Sequence, residues 1–344
     1  MTEDRSVGLA LSRAYFEDLI EPIVTAGFPG LRYSAGRLGA GSDVLGLDDE
    51  TSRDHDWGLR LTLIVPPSSV GDVRRMLESD VPESFDGLPT RFALSGESVP
   101  HLQVDVSSMV DFLVPRLGFD PRSGITTDDW LSVSGQSVLE VTAGPVFADA
   151  AGDLHRARAA LSWYPDDLWR YVLACDWARL AQELPLMSRA ADVGDDRGAR
   201  LIAARMAHVT MHLAFTLEHR WPPYAKWFGT AFRTLQCALA LGQSIDQLLD
   251  SHDRREREHS LTAALQLLLD IQNCQGLTDV TPATVPFWDR PHIHPNPAIT
   301  SQLMASIGDP TIQALPLGHG TIEQRTDNVD VLVDPAHRRP GPRT

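Results

Sequence analysis

Residues 41–65 read GSDVLGLDDETSRDHDWGLRLTLIV, and the predicted fold rests mainly on the pattern of these residues. The pair Gly41-Ser42 is followed after eleven residues by Asp54-His55-Asp56, and an alternating run then ends at Val65. Residues i and i+2 of a strand point to the same face, so we expect the carboxylates of Asp54 and Asp56 to lie side by side. Two adjacent carboxylates repel each other, and a divalent cation with oxygen ligands, Mg²⁺ above all, offsets that repulsion. The stretch therefore predicts a metal site, with a solvated pair on an exposed strand as the alternative.

A third carboxylate is available at Asp105, inside the alternation Leu102-Gln103-Val104-Asp105-Val106. A strand residue flanked by valines is expected to face a core, where an ionised carboxylate is costly unless it is paired or metal-bound. Three carboxylates on neighbouring strands would hold two Mg²⁺ ions. Gly41 and Ser42 would hold phosphate through backbone N–H groups, the serine hydroxyl and the positive end of a helix that begins there.

These residues resemble the nucleotidyltransferase superfamily, whose founding fold is the palm of DNA polymerase beta. Its pattern is Gly-Ser, then nine to thirteen residues, then Asp-x-Asp, then an acidic residue on a later strand; Asp105 matches that last position. The resemblance covers about residues 25–115 and implies transfer of a nucleotide from ATP or another nucleoside triphosphate. It also implies the site residues: Asp54, Asp56 and Asp105 as catalytic metal ligands, and Gly41 and Ser42 as nucleotide-binding residues.

A closer resemblance rests on the run Arg220–Trp227, together with Arg257-Glu258 and Arg290-Pro291. These residues resemble an uncharacterised bacterial family whose helical C-terminal half is similar to that of aminoglycoside nucleotidyltransferases. The resemblance implies that Lys226 binds the triphosphate. Lys226 is the only lysine, the other 29 basic residues being arginine, and a compact ammonium suits a point contact. A surface lysine that escaped codon bias is the alternative, as is helix-end aromatic packing for Arg220 and Tyr224.

The chain divides by pattern into three parts. Strand and helix patterns alternate over residues 1–145, whereas helical spacing follows, with breaks at Tyr164-Pro165, Gly194-Asp195 and Trp221-Pro222-Pro223. We therefore predict an α+β protein: a nucleotidyltransferase domain with a mixed sheet (1–145), then an α-helical bundle domain (150–275). Residues 276–344 are predicted to form an irregular, Pro-rich extension and a flexible tail. The active cleft is expected between the first two domains.

Composition limits the partners. The chain has 30 Lys and Arg against 46 Asp and Glu, a net charge of −16, which disfavours general nucleic-acid binding and attracts a cationic small acceptor. Three separated cysteines indicate a reducing compartment, and no apolar stretch of about 18 residues suggests a membrane span. We expect a cytoplasmic protein whose partners are a nucleoside triphosphate and a small acceptor molecule.

Three alternatives stay open at this point. The same site would serve a toxin-like or regulatory enzyme that modifies tRNA or a protein, and it would also serve a nucleotide-binding module without turnover. His208 and His212 lie four residues apart and would share a helix face as a metal pair, although the missing third ligand favours core histidines.

Overall fold

The structure, a computed structural model, describes residues 7–47, 57–96 and 98–338 and divides them into two compact units. Unit 1 contains the described residues of Met1–Asp129, Gln136–Ser162 and Val333–Thr344. Unit 2 contains Trp130–Gly135 and Trp163–Leu332. Unit 1 is therefore assembled from segments that lie far apart in the sequence.

Unit 1 combines short strands with helices. Its strands are β1 (Ser34–Gly36), β2 (Leu61–Ile64), β3 (Ser84–Phe85), β4 (Leu88–Pro89), β5 (Arg91–Phe92), β6 (His101–Leu102), β7 (Val104–Ser107) and β8 (Val146–Asp149). Its helices include α1 (Val7–Tyr15), α2 (Glu21–Gly27), α3 (Val70–Asp80), α4 (Met109–Leu117), α5 (Thr127–Ser132), α6 (Gly135–Thr142) and α7 (Asp153–Ala160). One wide helical turn joins α1 to α2, and a few residues of α5 and α6 belong to unit 2.

The main sheet of unit 1 has four strands in the order β7-β2-β1-β8. β2 runs parallel to β7, whereas β1 is antiparallel to both β2 and β8, so the sheet is mixed. The register places Thr62 of β2 between Gly36 of β1 and Asp105 of β7. This sheet with its helices confirms the predicted α+β class.

One face of the sheet forms the core of unit 1. Leu61 and Leu63 of β2 and Val104 and Val106 of β7 are buried among apolar side chains of the first three helices. Side chains alternate between the two faces of a strand, so Thr62 and Asp105 lie on the opposite face. The sequence pattern of β7 therefore fixes which side of the sheet carries the acidic residue.

Unit 2 is mainly helical. Its elements are α8 (Asp166–Asp192), α9 (Asp196–Leu217), α10 (Ala225–Phe232), α11 (Ala238–Asp250), α12 (Arg254–Cys274), β9 (Thr284–Pro286), β10 (Ile293–Pro295), α13 (Pro297–Ala305), α14 (Pro310–Gln313), α15 (Ile322–Arg325) and α16 (Val329–Val333). The last described helix, α17 (Pro335–Arg338), returns to unit 1. The helix ends fall at the three breaks that the sequence predicts. Residues 276–338, expected to be irregular, contain two strands and five short helices.

Buried polar contacts fix the long helices of unit 2 to one another. Trp177 of α8 donates its indole N–H to the Gln272 side chain of α12 at 2.8 Å, and Trp169 of α8 donates to the Thr216 carbonyl of α9 at 2.8 Å. Both rings are buried, so each N–H needs such an acceptor. None of the helices in the described ranges is long and apolar enough to cross a membrane.

The histidine pair on α9 belongs to the core of unit 2. His212 is buried and its Nδ1 lies 2.8 Å from Oδ2 of Asp176, while Gln324 donates to the other oxygen of that carboxylate at 2.7 Å. His208 stacks on Phe228 with ring centroids 4.6 Å apart. Burial alone lowers the pKa of both histidines; for His212 the charge and hydrogen bond of Asp176 outweigh burial and raise its pKa. The core interpretation is confirmed for His212, whereas His208 is half-buried.

This buried pair makes stability depend on pH. A histidine whose pKa is raised on folding contributes stability that is complete below its unfolded pKa of about 6.5 and is lost as pH rises through the folded value. His212→Gln is therefore expected to lower the free energy of unfolding by about 3–5 kcal/mol at acidic pH and by less at alkaline pH. Urea unfolding at about pH 5.5 and about pH 9 measures both values.

The control for this prediction is His259→Gln, because His259 is exposed on α12 of the same unit. It should change stability little at either pH. A loss for His212→Gln that is equal at both pH values would contradict a charged His212–Asp176 pair.

Candidate functional site

A cleft of about 400 Å³ lies on the face of unit 1 opposite its core. Thr62 and Asp105 line it, together with Gly39 and Ala40 from the turn after β1. Residues from α3, β6 and α4 complete the lining. The cleft thus brings together the third predicted carboxylate and the backbone that directly precedes Gly41-Ser42.

Asp105 faces this cleft and not the core. Its side chain is 51% exposed, whereas Val104 and Val106 on either side are buried. The expectation that Asp105 faces a core is therefore wrong, because the valines occupy the apolar face and alternation turns the carboxylate the other way. The exposed carboxylate is available to a ligand in the cleft.

The cleft carries more basic than acidic side chains. Its charged residues are four arginines, Arg37, Arg60, Arg74 and Arg116, against two acids, Glu78 and Asp105. Arg74 donates to the Val106 carbonyl at 2.6 Å, which holds its guanidinium beside β7. Arg37 is buried in an ion pair with Asp43, and the other three arginines still exceed the two acids, so the cleft favours anions although the whole chain carries −16.

The turn after β1 is built around a buried ion pair. Arg37 is 2% exposed and donates to both oxygens of Asp43, at 2.6 and 2.8 Å. The same guanidinium donates to the carbonyl of Leu38 at 2.8 Å and that of Ala40 at 3.0 Å. Two ends of the turn are therefore fixed to one side chain.

Gly41 lies inside this arrangement with φ at +147°, a conformation that residues with side chains rarely adopt. A Cβ placed there would lie 2.4 Å from Nη2 of Arg37 and 2.3 Å from a carboxylate oxygen of Asp43. Residues 42–46 form a turn in which the Ser42 carbonyl accepts from the amides of Leu45 and Leu47, so the predicted helix start is replaced by a turn. Gly41 and Ser42 adjoin the cleft lining but do not belong to it.

Asp54 and Asp56 lie outside the described residues. Among the residues that the structure does describe, no group of three or more acidic, histidine or cysteine side chains is arranged to hold a metal ion. Asp105 supplies one carboxylate of the kind that Mg²⁺ takes as an oxygen ligand. The described residues therefore supply one candidate ligand for Mg²⁺, Asp105. The assignment of Asp54 and Asp56 as the other two ligands stays a prediction.

Arg116 and Glu140 are site residues that the sequence analysis missed. Nη2 of Arg116 lies 3.9 Å from Oδ2 of Asp105, and its Nε lies 3.7 Å from Oε2 of Glu140. Burial raises the pKa of Glu140, while Gln136 and the charges of Arg116 and Arg338 oppose this. The available signal was a lone basic residue in the apolar helix that follows β7, within MVDFLVPRL.

Lys226 belongs to unit 2, where it is exposed in the first turn of α10. Its ammonium lies 5.0 Å from the centroid of the Trp227 ring, within reach of a cation–π contact. Trp221, in the same run, packs among the rings of Trp163 and Tyr164, with centroids 4.6 and 4.7 Å away. The run thus contains aromatic core packing next to an accessible lysine, whose contact with nucleotide stays a prediction.

The Gly41 geometry predicts a local stability effect. Gly41→Ala is expected to cost about 3 kcal/mol or more, because the new Cβ strains the backbone and displaces the buried ion pair. Gly46→Ala is the matched control: Gly46 also has a positive φ, +67°, but no atom lies within 4 Å of its Cβ position, so about 1 kcal/mol is expected. Urea unfolding measures both, and equal costs would contradict the packing of Gly41 against the ion pair.

Comparison with known proteins gives a match to one family model and a similarity to solved structures. A family model described as a domain of unknown function (DUF4037) matches residues 130–228, from α5 into α10. The chain is also similar to the solved structure of a nucleotidyltransferase-like protein from Exiguobacterium sibiricum 255-15, with 15% identity and a TM-score of 0.32, over 77% of this chain and 76% of that one. The curated proteins contain no match to the chain.

Proposed function

We propose that this chain is a nucleotidyltransferase that transfers AMP from ATP, or NMP from another nucleoside triphosphate, to a hydroxyl group of a small acceptor. The observation that carries the proposal is the exposed Asp105 carboxylate in a cleft that four arginines line. An exposed carboxylate would repel a simple anion, and arginines would repel a simple cation. A triphosphate with its bound Mg²⁺ presents both charges and suits both kinds of side chain.

The residues take the following roles in this proposal. Asp105 binds metal on the acceptor side, and Asp54 and Asp56 are assigned the remaining metal contacts on the strength of their spacing. The backbone from Gly39 to Ser42 and the ammonium of Lys226 hold phosphate oxygens. Bound Mg²⁺ would neutralise phosphate charge and lower the pKa of the acceptor hydroxyl.

The reaction balances as a substitution at the α-phosphorus. The acceptor oxygen forms a bond to that phosphorus, the bond to the bridging oxygen of the β-phosphate breaks, and pyrophosphate leaves with the bonding electrons. The hydroxyl loses its proton to solvent. Because little covalent chemistry falls to the protein, its arginines and carboxylates act by positioning and by compensating charge.

The acceptor class follows from charge outside the cleft. The net charge of −16 steers a cationic molecule, such as an aminocyclitol, toward the protein, while the arginines of the cleft favour the triphosphate. The test incubates the full chain with each nucleoside triphosphate, Mg²⁺ or Mn²⁺ and pools of small metabolites, and measures pyrophosphate release and adduct mass. An absence of pyrophosphate in every pool, with tRNA and protein acceptors included, would overturn the proposal.

The carboxylates are expected to separate binding from transfer. Asp105→Asn should lower pyrophosphate release at least about 100-fold while leaving triphosphate affinity within about three-fold, because Asp105 serves mainly the acceptor side. Asp56→Asn should instead remove the Mg²⁺-dependent part of nucleotide binding. Calorimetric titration with a non-hydrolysable ATP analogue and a pyrophosphate assay measure the two effects. Transfer at the parental rate by Asp105→Asn would exclude this role.

Lys226 offers a test in the other unit. Lys226→Ala is expected to weaken nucleotide binding by about 1.5–3 kcal/mol, the value of a hydrogen bond to a charged group, without lowering thermal stability. Lys226→Arg keeps the charge and changes only its shape, so it should restore part of the affinity. Since the chain has one lysine, amine-reactive labelling followed by peptide mapping also reports whether nucleotide protects Lys226. Unchanged affinity in Lys226→Ala would exclude the contact.

A further inference from the structure

Arg116 is held at several points in the wall of the cleft of unit 1. Its Nη1 donates to the Phe112 carbonyl at 2.7 Å, and its guanidinium carbon lies 4.2 Å from the centroid of the Phe112 ring. Its own carbonyl accepts from Nη2 of Arg338 at 2.5 Å. The orientation of the guanidinium is therefore set by α4 and by the last described helix.

The other edge of this guanidinium makes no hydrogen bond within the described ranges. Its Nε is buried without an acceptor, and its Nη2 comes no closer than 3.9 Å to the nearest carboxylate, that of Asp105. Nε and Nη2 point the same way and can donate two parallel hydrogen bonds to one carboxylate or phosphate. A buried donor without an acceptor is costly, so this edge is built for a ligand that supplies one.

Gly39 leaves room for such a ligand beside the arginine. A Cβ on Gly39 would lie 3.1 Å from Nη2 of Arg116, so a larger residue would crowd the free edge. The Gly39 amide donates to the Glu140 carbonyl at 2.8 Å, which places this backbone against the same carboxylate residue that faces Nε. Two acidic side chains, Glu140 and Asp105, lie near the guanidinium without accepting a hydrogen bond from its Nε or Nη2.

We propose that the Nε–Nη2 edge of Arg116 is a phosphate-binding site. That this phosphate belongs to a nucleoside triphosphate rests on the proposed function. That Arg116 binds a phosphate group does not depend on the proposed function. A phosphate on this edge would accept the hydrogen bonds that neither Glu140 nor Asp105 accepts, and it would leave the Asp105 carboxylate to a cation. Binding of the triphosphate at Arg116 would thus make the Asp105 carboxylate more available to a metal ion.

The experiment titrates the full chain with sodium tripolyphosphate, without and with Mg²⁺. Arg116→Gln is expected to weaken binding about 10-fold or more, and Arg116→Lys should recover only part of the loss because it lacks the two-donor edge. Arg75→Gln is the matched control: it removes the same charge from α3 at an exposed position outside the cleft lining and should stay within two-fold of wild type. Wild-type affinity in Arg116→Gln, or no binding by the wild type at millimolar tripolyphosphate, overturns the proposal.

A second measurement needs no variant and applies if Arg116→Gln does not fold. Phenylglyoxal modifies arginines, and peptide mapping of the wild-type chain should show that tripolyphosphate protects Arg116 and leaves Arg75 reactive. Modification of Arg116 at the same rate with and without tripolyphosphate overturns the proposal.

The outcomes separate this inference from the proposed function. Tripolyphosphate binding through Arg116 without pyrophosphate release from any nucleotide keeps the phosphate site and removes the transferase. Pyrophosphate release with an unchanged tripolyphosphate affinity and an unchanged KM for nucleotide in Arg116→Gln keeps the transferase and removes the phosphate site.

Discussion

The buried pair of Arg37 and Asp43 is the interaction on which the cleft of unit 1 depends. Removing one partner of such a pair costs about 3–5 kcal/mol, because the other charge is left without water or counter-ion. Losing this pair would also disturb the turn itself, because the same guanidinium donates to two carbonyls of the turn. The Arg37 amide in addition donates to the Pro145 carbonyl. The position of the Gly39–Gly41 backbone beside β2 and β7 is thus a consequence of one desolvated charge pair, and the glycine at 41 is required because that pair occupies the space of a side chain.

Much of the fold could be predicted from local pattern. The apolar run ending at Val65 gave β2, and the breaks before Asp166 and Ala225 gave helix boundaries, because prolines and glycines act through their own backbone. The valine neighbours of Asp105 correctly predict a strand that packs on the core. They do not predict where the carboxylate lies, because alternation places it on the opposite face. Arg116 and Glu140 could not be found this way, since they meet Asp105 only through strand pairing and helix packing across the sequence. The Asp54 and Asp56 assignments rest on spacing alone.

Charge is distributed unevenly in this molecule. Most of the chain is acidic, whereas the cleft collects arginines around one exposed carboxylate. Arg74 and Arg116 donate to the carbonyls of Val106 and Phe112, Glu140 lies beside Arg116, and Arg37 is buried in its ion pair with Asp43. Binding of a polyphosphate at such a site should weaken with ionic strength less than binding at an exposed basic patch, because the partly buried charges are screened less.

The return of the chain to unit 1 at Arg338 has a consequence for biosynthesis. Arg338 is 3% exposed and bonds to Ser137 and to the carbonyl of Arg116, so the packing of α4 and α6 is complete only when residue 338 is present. Residues 163–332 are translated before it and form compact unit 2 together with residues 130–135. During synthesis all residues of unit 2 are therefore present before Arg338 is added, and only then can the packing of α4 and α6 in unit 1 be complete.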